Sequence, residues 1–244
     1  AITITDLTID GSVLNAVDAN TSGVVNASAV TTLSGALADI NTAYSANGSG
    51  TISGLGDEII SFSDTSAAAS VLNTADGNTS GLVNATNLVT ITGATADVNT
   101  VYASSGFSNL GNEDVTISDT SVAASVLSTL DGNTTGTVNA NTLNTITGTA
   151  AEVLVAYASS GISNLGTENV TLSGTVSVAD LTTIQAKSGN DYHLTPTSDG
   201  SYTTTGSLGA GYEVSGATII EGDVATLLTL VVIHTVMSIL LILQ

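Results

Sequence analysis

The chain carries one side chain of the lysine or arginine kind, Lys187, against 21 acidic residues, for a formal net charge of −20. Phosphate backbones and anionic membrane surfaces are held mainly by Lys and Arg, so nucleic acid is excluded as a partner and electrostatic membrane binding is disfavoured. Trypsin-like proteases find almost nothing to cut. Cysteine is absent, which removes disulfides, thiolate nucleophiles and Cys-ligated zinc. A polysaccharide lyase built on a repeat fold needs clustered acids with Arg or Lys, and the chain has no Arg and a single Lys. Tryptophan is missing, proline occurs once, and aromatic residues make up 3% of the chain. The start lacks Met and a charged region leading into an apolar one, so the sequence reads as processed or as a fragment.

What is present is Thr, Ser, Ala, Asn and Gly with evenly spread aliphatic residues. With 42% of residues hydrophobic and only 9% charged, a folded chain is expected rather than a disordered acidic one. The main pattern is internal repetition. Ile60-Ser-Phe-Ser-Asp64 returns as Val115-Thr-Ile-Ser-Asp119 and again, at the same offset, as Val170-Thr-Leu-Ser-Gly174. A first copy, Ile2-Thr-Ile-Thr-Asp6, lies slightly farther from the second, because the loop after Tyr44 holds three extra residues. The copies divide the chain into repeat 1 (1–58), repeat 2 (59–113), repeat 3 (114–168) and a partial repeat 4 (169–189). A capping β region (190–223) and an apolar C-terminal segment (224–244) follow.

Within a copy the hydrophobic period switches. Val115 and Ile117 alternate with polar residues, as in a short strand. Asp119-Thr-Ser121 supplies helix N-cap types, and Val122, Val126, Leu127 and Leu130 form the apolar face that follows. Asp131-Gly-Asn-Thr-Thr-Gly136 ends that helix. Val138-Asn-Ala140 reads as a second strand, with Leu143 and Ile146 pointing inward from the turn after it. Thr149-Ala-Ala-Glu152 then has capping-box spacing before a second helix, whose face in copy one is Leu37, Ile40 and Tyr44. Each strand–helix coil, of roughly 27 residues, is too small to bury its own apolar face. The expected fold is an α/β repeat, a β/α solenoid with about two strand–helix coils per 55-residue repeat. The alternative is an all-β sandwich or β-solenoid, given the abundance of Thr and Val.

The stretch DGNTSGLVNA at Asp76 recurs as DGNTTGTVNA at Asp131 and as DANTSGVVNA at Asp18. Its Asp-x-Asn-x-Thr/Ser-Gly resembles the first half of a calcium loop, which makes Asp18, Asn20, Asp76, Asn78, Asp131 and Asn133 the candidate metal ligands. The bidentate Glu such a loop needs at its end is replaced by Ala29, Asn87 and Thr142. The competing reading is a helix-terminating turn. Asn26, Asn84 and Asn139 occupy one place in the second strand of each copy, where stacking in register makes an Asn ladder; the other reading is an exposed turn Asn. Glu58, Glu113 and Glu168 recur likewise, and like charges at one spacing are expected to be solvated, the alternative being a bridging calcium ion. No catalytic residue set stands out, and a set repeated three times suits structure better than a reaction centre. Seven Asn-x-Ser/Thr sequons follow from composition, and His193 and His234 suggest no common site.

Residues 224–244 carry no charge and are long enough to span a bilayer. They lack Lys/Arg flanks and Trp or Tyr anchors, so a buried cap or subunit interface, a membrane anchor, and a secretion signal or unrelated terminus all stay open. The units VTISDTSVAASVLSTLDGNTTGTVNA and NTITGTAAEVLVAYASSG resemble the low-lysine Thr/Ala/Asp-rich repeats of large secreted surface proteins of marine bacteria, cyanobacteria especially. The resemblance spans about residues 1 to 188 and implies an extracellular or cell-surface location with an adhesin-like or structural role, in which calcium is often involved. The Gly-Gly-x-Gly-x-Asp core of calcium-binding nonapeptides is absent. The expected function is therefore a non-enzymatic rod or filament segment that self-associates, with no cofactor unless calcium. The alternative is the binding module of a phage or bacterial adhesion fibre that recognises a glycan or receptor.

Overall fold

The structure is a computed structural model that describes residues 1–174 and 178–188, with the backbone of four further strands, 192–194, 201–203, 212–213 and 219–221. Two compact units divide the chain. The first is Ala1–Ile117 with Asn133–Thr137, and the second is Ser118–Gly132 with Val138 onward.

In the first unit strands and helices alternate: β1 (Ile2–Thr3), β2 (Thr8–Asp10), α1 (Gly11–Ala19), β3 (Val25–Asn26), β4 (Thr32–Gly35) and α2 (Leu37–Ser49). They are followed by β5 (Ile52–Ser53), β6 (Ile59–Phe62), β7 (Ser66–Ala68), α3 (Ala69–Asn78), β8 (Val83–Asn84), β9 (Thr90–Gly93), α4 (Thr95–Ala103), β10 (Phe107–Ser108) and β11 (Asp114–Ile117). The second unit holds β12 (Ser121–Ala123), α5 (Ala124–Asn133), β13 (Val138–Asn139), β14 (Thr145–Gly148), α6 (Ala150–Ala158), β15 (Ile162–Ser163), β16 (Asn169–Leu172) and α7 (Val178–Ser188). Beyond them lie β17 (Tyr192–Leu194), β18 (Ser201–Thr203), β19 (Tyr212–Glu213) and β20 (Ile219–Glu221).

Among the described residues every strand pairing is parallel, and the sheets are open ladders with no closed barrel. The unit-one ladders run β1-β3-β5, β2-β4-β6-β8-β10 and β7-β9-β11. In unit two they run β12-β14-β16-β17-β19, β13-β15 and β18-β20. The fold class is thus α/β with parallel sheets. Seven helices among the described residues exclude the all-β alternative.

The register departs from the expected one in an informative way. One sequence offset joins Thr8 to Thr32, Ser66 to Thr90, and Thr145 to Asn169. Thr32 pairs with Ile59 across the three-residue insertion. A copy is two such steps plus seven more, so its halves are unequal rather than two coils of one length. The extra seven are taken up by β7 and β12, strands inserted ahead of α3 and α5. Equivalent residues of copies two and three therefore do not pair: Ile60 meets Val83, not its counterpart Val115. The Asp-Thr-Ser run expected to begin the helix leads into this strand instead. Asp64 does cap a helix, but the earlier α2: its Oδ2 accepts from the Leu37 N–H at 2.8 Å.

The core follows from two periods. Strand residues alternate inward, as with Ile60 and Phe62 in β6 or Val170 and Leu172 in β16. The first-half helices bury every third residue, Ala69, Leu72 and Ala75 in α3 and Ala124, Leu127 and Leu130 in α5. This narrows the expected face, because Val122 lies in β12 and Val126 is half-buried. Ile146 is inward as expected, but from a strand, β14, not from a turn. Full burial of one such Leu is worth about 1.5–3 kcal/mol. The second-half face of Leu37, Ile40 and Tyr44 is buried, with Ala43 beside it. The capping box is present: the Thr149 hydroxyl accepts from the Glu152 N–H, and the Glu152 carboxylate accepts from the Thr149 N–H. That Thr149 N–H and its hydroxyl hold the Glu152 carboxyl below the usual range. Asp10 is lowered likewise as the α1 cap, through the Ser12 hydroxyl and then its N–H. Among the described residues no helix is long and apolar enough to cross a membrane, and 224–244 lies outside them.

Candidate functional site

The recurring Asp-x-Asn stretch sits on the last turn of the first helix of each copy, and its polar groups diverge. Asp reaches forward along the chain. Asp18 Oδ2 accepts from the Thr51 hydroxyl at 2.9 Å, Asp76 Oδ2 from Ser104 at 2.7 Å and Asp131 Oδ2 from Ser159 at 2.6 Å. Ser104 and Ser159 also accept the N–H of Gly106 and Gly161. Asn reaches backward or stays local: Asn78 Nδ2 donates to Asn41 Oδ1, Asn133 Nδ2 to Asn99 Oδ1 and Asn20 Nδ2 to the Ala16 carbonyl.

Calcium takes roughly 6–8 oxygens in one shell. Among the described residues no group of three or more His, Cys, Asp or Glu is placed to share an ion. In each pair the Asp and Asn side chains are hydrogen-bonded toward different elements. The Thr of the motif acts separately. Thr79 donates its hydroxyl to the Glu58 carbonyl at 2.7 Å while accepting the Gly81 N–H at 2.9 Å. Thr134 does the same with the Glu113 carbonyl and the Gly136 N–H.

Asn26, Asn84 and Asn139 take the place predicted in the second strand but do not bond to one another. Asn26 lies in the three-stranded ladder and Asn84 in the five-stranded one, because copies one and two are offset in register. Each caps its own turn, accepting the N–H two residues on, from Ser28, Thr86 and Asn141. Asn84 and Asn139 also accept from Asn109 and Asn164 at 2.9 and 2.7 Å. Those two donors are the non-glycine residues of positive φ among the described residues, at 64° and 62°. The bonds run between neighbouring turns in pairs instead of along a continuous ladder.

A further polar site recurs around the glutamate column, and the sequence did not show its tyrosine partners. Glu58 and Glu113 are 0% exposed and Glu168 is 1% exposed, the reverse of the solvated carboxylates expected. Each is held by a tyrosine of the preceding helix and a glycine two residues before it. The Tyr44 hydroxyl donates to Glu58 Oε2 at 2.8 Å, Tyr102 to Glu113 Oε2 at 3.1 Å and Tyr157 to Glu168 Oε1 at 2.5 Å. The N–H groups of Gly56, Gly111 and Gly166 each donate to Oε2 at 2.9 Å. Glu168 gains the Thr167 N–H as well. Oε1 of Glu58 and of Glu113 has no hydrogen-bond partner. A carboxyl group buried without a basic partner is costly, and in Glu58 and Glu113 these donors satisfy one oxygen only. The signal for the site was the joint recurrence of Tyr and Glu, 11 residues apart in copies two and three and 14 in copy one.

Burial raises Tyr44 and Tyr102 well above the ordinary value of 10.0, with the neighbouring Glu58 and Glu113 adding to the rise. Their folded state therefore favours the neutral phenol. Its contribution to stability is complete below pH 10.0 and is lost as pH climbs from there through the higher folded value. Urea midpoints measured from neutral to strongly alkaline pH are expected to hold steady and then fall above the ordinary tyrosine value. The Tyr44→Phe, Tyr102→Phe double variant is expected to show a shallower fall, and an equally steep one would refute the assignment.

His193 falls on β17, described by its backbone alone, and His234 lies outside the described residues. No protein-family model, curated protein or solved structure matches the chain.

Proposed function

We propose that the chain is a non-enzymatic extracellular structural repeat protein, a β/α solenoid segment of a rod- or filament-forming cell-surface or adhesin-like protein. One observation carries the reading: the side chains with the most chemical potential are committed to architecture. Asp76 and Asp131 fasten Ser104 and Ser159, and Tyr44, Tyr102 and Tyr157 hold Glu58, Glu113 and Glu168. The same duties return with each copy, which supports a scaffold over a single reaction centre. A recurring pairing step, shared by Thr8–Thr32, Ser66–Thr90 and Thr145–Asn169, supports the solenoid reading.

The ladders support self-association. Among the described residues strands β1 and β2 each have one pairing partner, and an edge strand of this kind can pair with a strand of another copy. Negative-stain electron microscopy of the full chain, with calcium and with a chelator, tests this. Filaments of uniform width in both conditions are expected. Filaments lost with the chelator would restore the acidic residues as ion ligands. Single particles in both would overturn assembly and favour the alternative, an adhesion-fibre module that binds a glycan or receptor.

A further inference from the structure

Asn47 is the one asparagine in the sequence followed by glycine, and it lies in the insertion that sets copy one apart. It sits in the last turn of α2, where Gly50 closes the helix at φ 84°. Its side-chain amide grips Leu55 on both sides, Nδ2 donating to the Leu55 carbonyl and Oδ1 accepting the Leu55 N–H, each at 3.2 Å. Leu55 is flanked by two fixed points. Thr51 is fastened to Asp18, and the Gly56 N–H is bonded to the buried Glu58. The amide of Asn47 is thus the clip that ties the end of α2 to the loop entering the Tyr44–Glu58 cluster. Copies two and three have no such residue, since Ser104-Ser-Gly106 and Ser159-Ser-Gly161 stand there.

We propose that Asn47 is a covalent modification site, and that its deamidation opens this clip irreversibly. The Gly48 backbone nitrogen attacks Asn47 Cγ, the bond from Cγ to the side-chain nitrogen breaks, and ammonia leaves with the proton of the attacking nitrogen. Water then opens the resulting cyclic imide at either carbonyl, giving aspartate or isoaspartate. Glycine in the following position puts no Cβ in the path of attack. Gly48 is exposed, and an added Cβ there would meet nothing within 4 Å. Helix ends open locally more readily than helix middles, so the last turn of α2 is where the required backbone geometry is reached. Afterwards position 47 has no N–H to give, and a carboxylate faces the Leu55 carbonyl. The isoaspartate form adds a backbone atom as well. Either product loosens the loop that presents Gly56 to Glu58.

The test is ageing of the full folded chain at neutral and mildly alkaline pH, followed by chymotryptic peptide mapping and enzymatic methylation of isoaspartate. Conversion at Asn47 ahead of every other asparagine is expected. Gly48→Ala, which the open space around Gly48 accommodates, is expected to bring Asn47 down to the rate of the others without lowering the thermal midpoint. Asn47→Asp is expected to lower that midpoint by roughly 2–4 °C. Another asparagine converting first, or a rate at Asn47 unchanged in Gly48→Ala, would overturn the site. An unchanged midpoint in Asn47→Asp would overturn the clip.

Discussion

Gly81→Ala is expected to destabilise the protein by about 3 kcal/mol or more, although it adds a single methyl group at a position of ordinary φ. A Cβ on Gly81 would stand 2.4 Å from the Glu58 carbonyl oxygen and 2.6 Å from its carbon, and no flexible side chain is there to yield. The approach is close because Thr79 binds the Glu58 carbonyl and the Gly81 N–H at once, pulling two backbone segments together. Separating them would also strain the bond from the Ile60 N–H to the Leu82 carbonyl. Gly136→Ala repeats the situation against Glu113, with a Cβ 2.3 Å from the carbonyl oxygen, and is expected to be equally severe. Gly77→Ala and Gly132→Ala are the controls. Both positions are helical with nothing within 4 Å, so alanine is expected to be neutral or to stabilise by about 0.5–1 kcal/mol. Urea denaturation followed by circular dichroism separates the two classes. If Gly81→Ala unfolds at the same midpoint as Gly77→Ala, the Thr-x-Gly staple carries no weight.

The contrast between these glycines also explains how the sequence misleads. Gly77 and Gly81 both belong to the one stretch DGNTSG, and both look like turn glycines. One ends a helix in open space, and the other is wedged against a backbone segment from the coil before it. Local features were legible for the reason that they are local. The capping box at Thr149 and Glu152, the face of Leu37, Ile40 and Tyr44, and the alternation of Val115 and Ile117 depend on neighbours within two turns of chain. Non-local duties were hidden. Asp64 is a good helix cap, but the helix it caps begins 27 residues back, across a neighbouring strand. The register of the copies was hidden too, since it depends on a pairing step that does not divide the repeat period evenly. From the period alone, Asn ladders in register are one of two readings, beside exposed turns. The seven-residue remainder rules the ladders out for copies one and two and leaves local bonds.

Tyr44→Phe is expected to cost about 2–3 kcal/mol, an unusual penalty for the loss of one hydroxyl. The reason lies in Glu58. Its carboxylate is fully buried, no lysine or arginine approaches it, and the two donors it has, Tyr44 and Gly56, both serve Oε2. Removing one leaves a buried carboxyl group with a single N–H donor, and the loss is the desolvation left uncompensated rather than the strength of one bond. Tyr157→Phe should cost less. Glu168 keeps the Gly166 N–H shared between both oxygens and the Thr167 N–H in addition. Glu58→Gln should be milder than Tyr44→Phe, because its carbonyl oxygen still accepts from both donors and no charge has to be stabilised. Glu58→Ala should be the worst of the series, since it strands the Tyr44 hydroxyl and the Gly56 N–H and opens a cavity together. The expected order of stability is therefore Gln above Phe above Ala, with Tyr157→Phe milder than Tyr44→Phe. Were Tyr44→Phe and Tyr157→Phe to cost the same, the number of donors on the carboxylate would not govern these sites, and the tyrosines would matter only as packed rings.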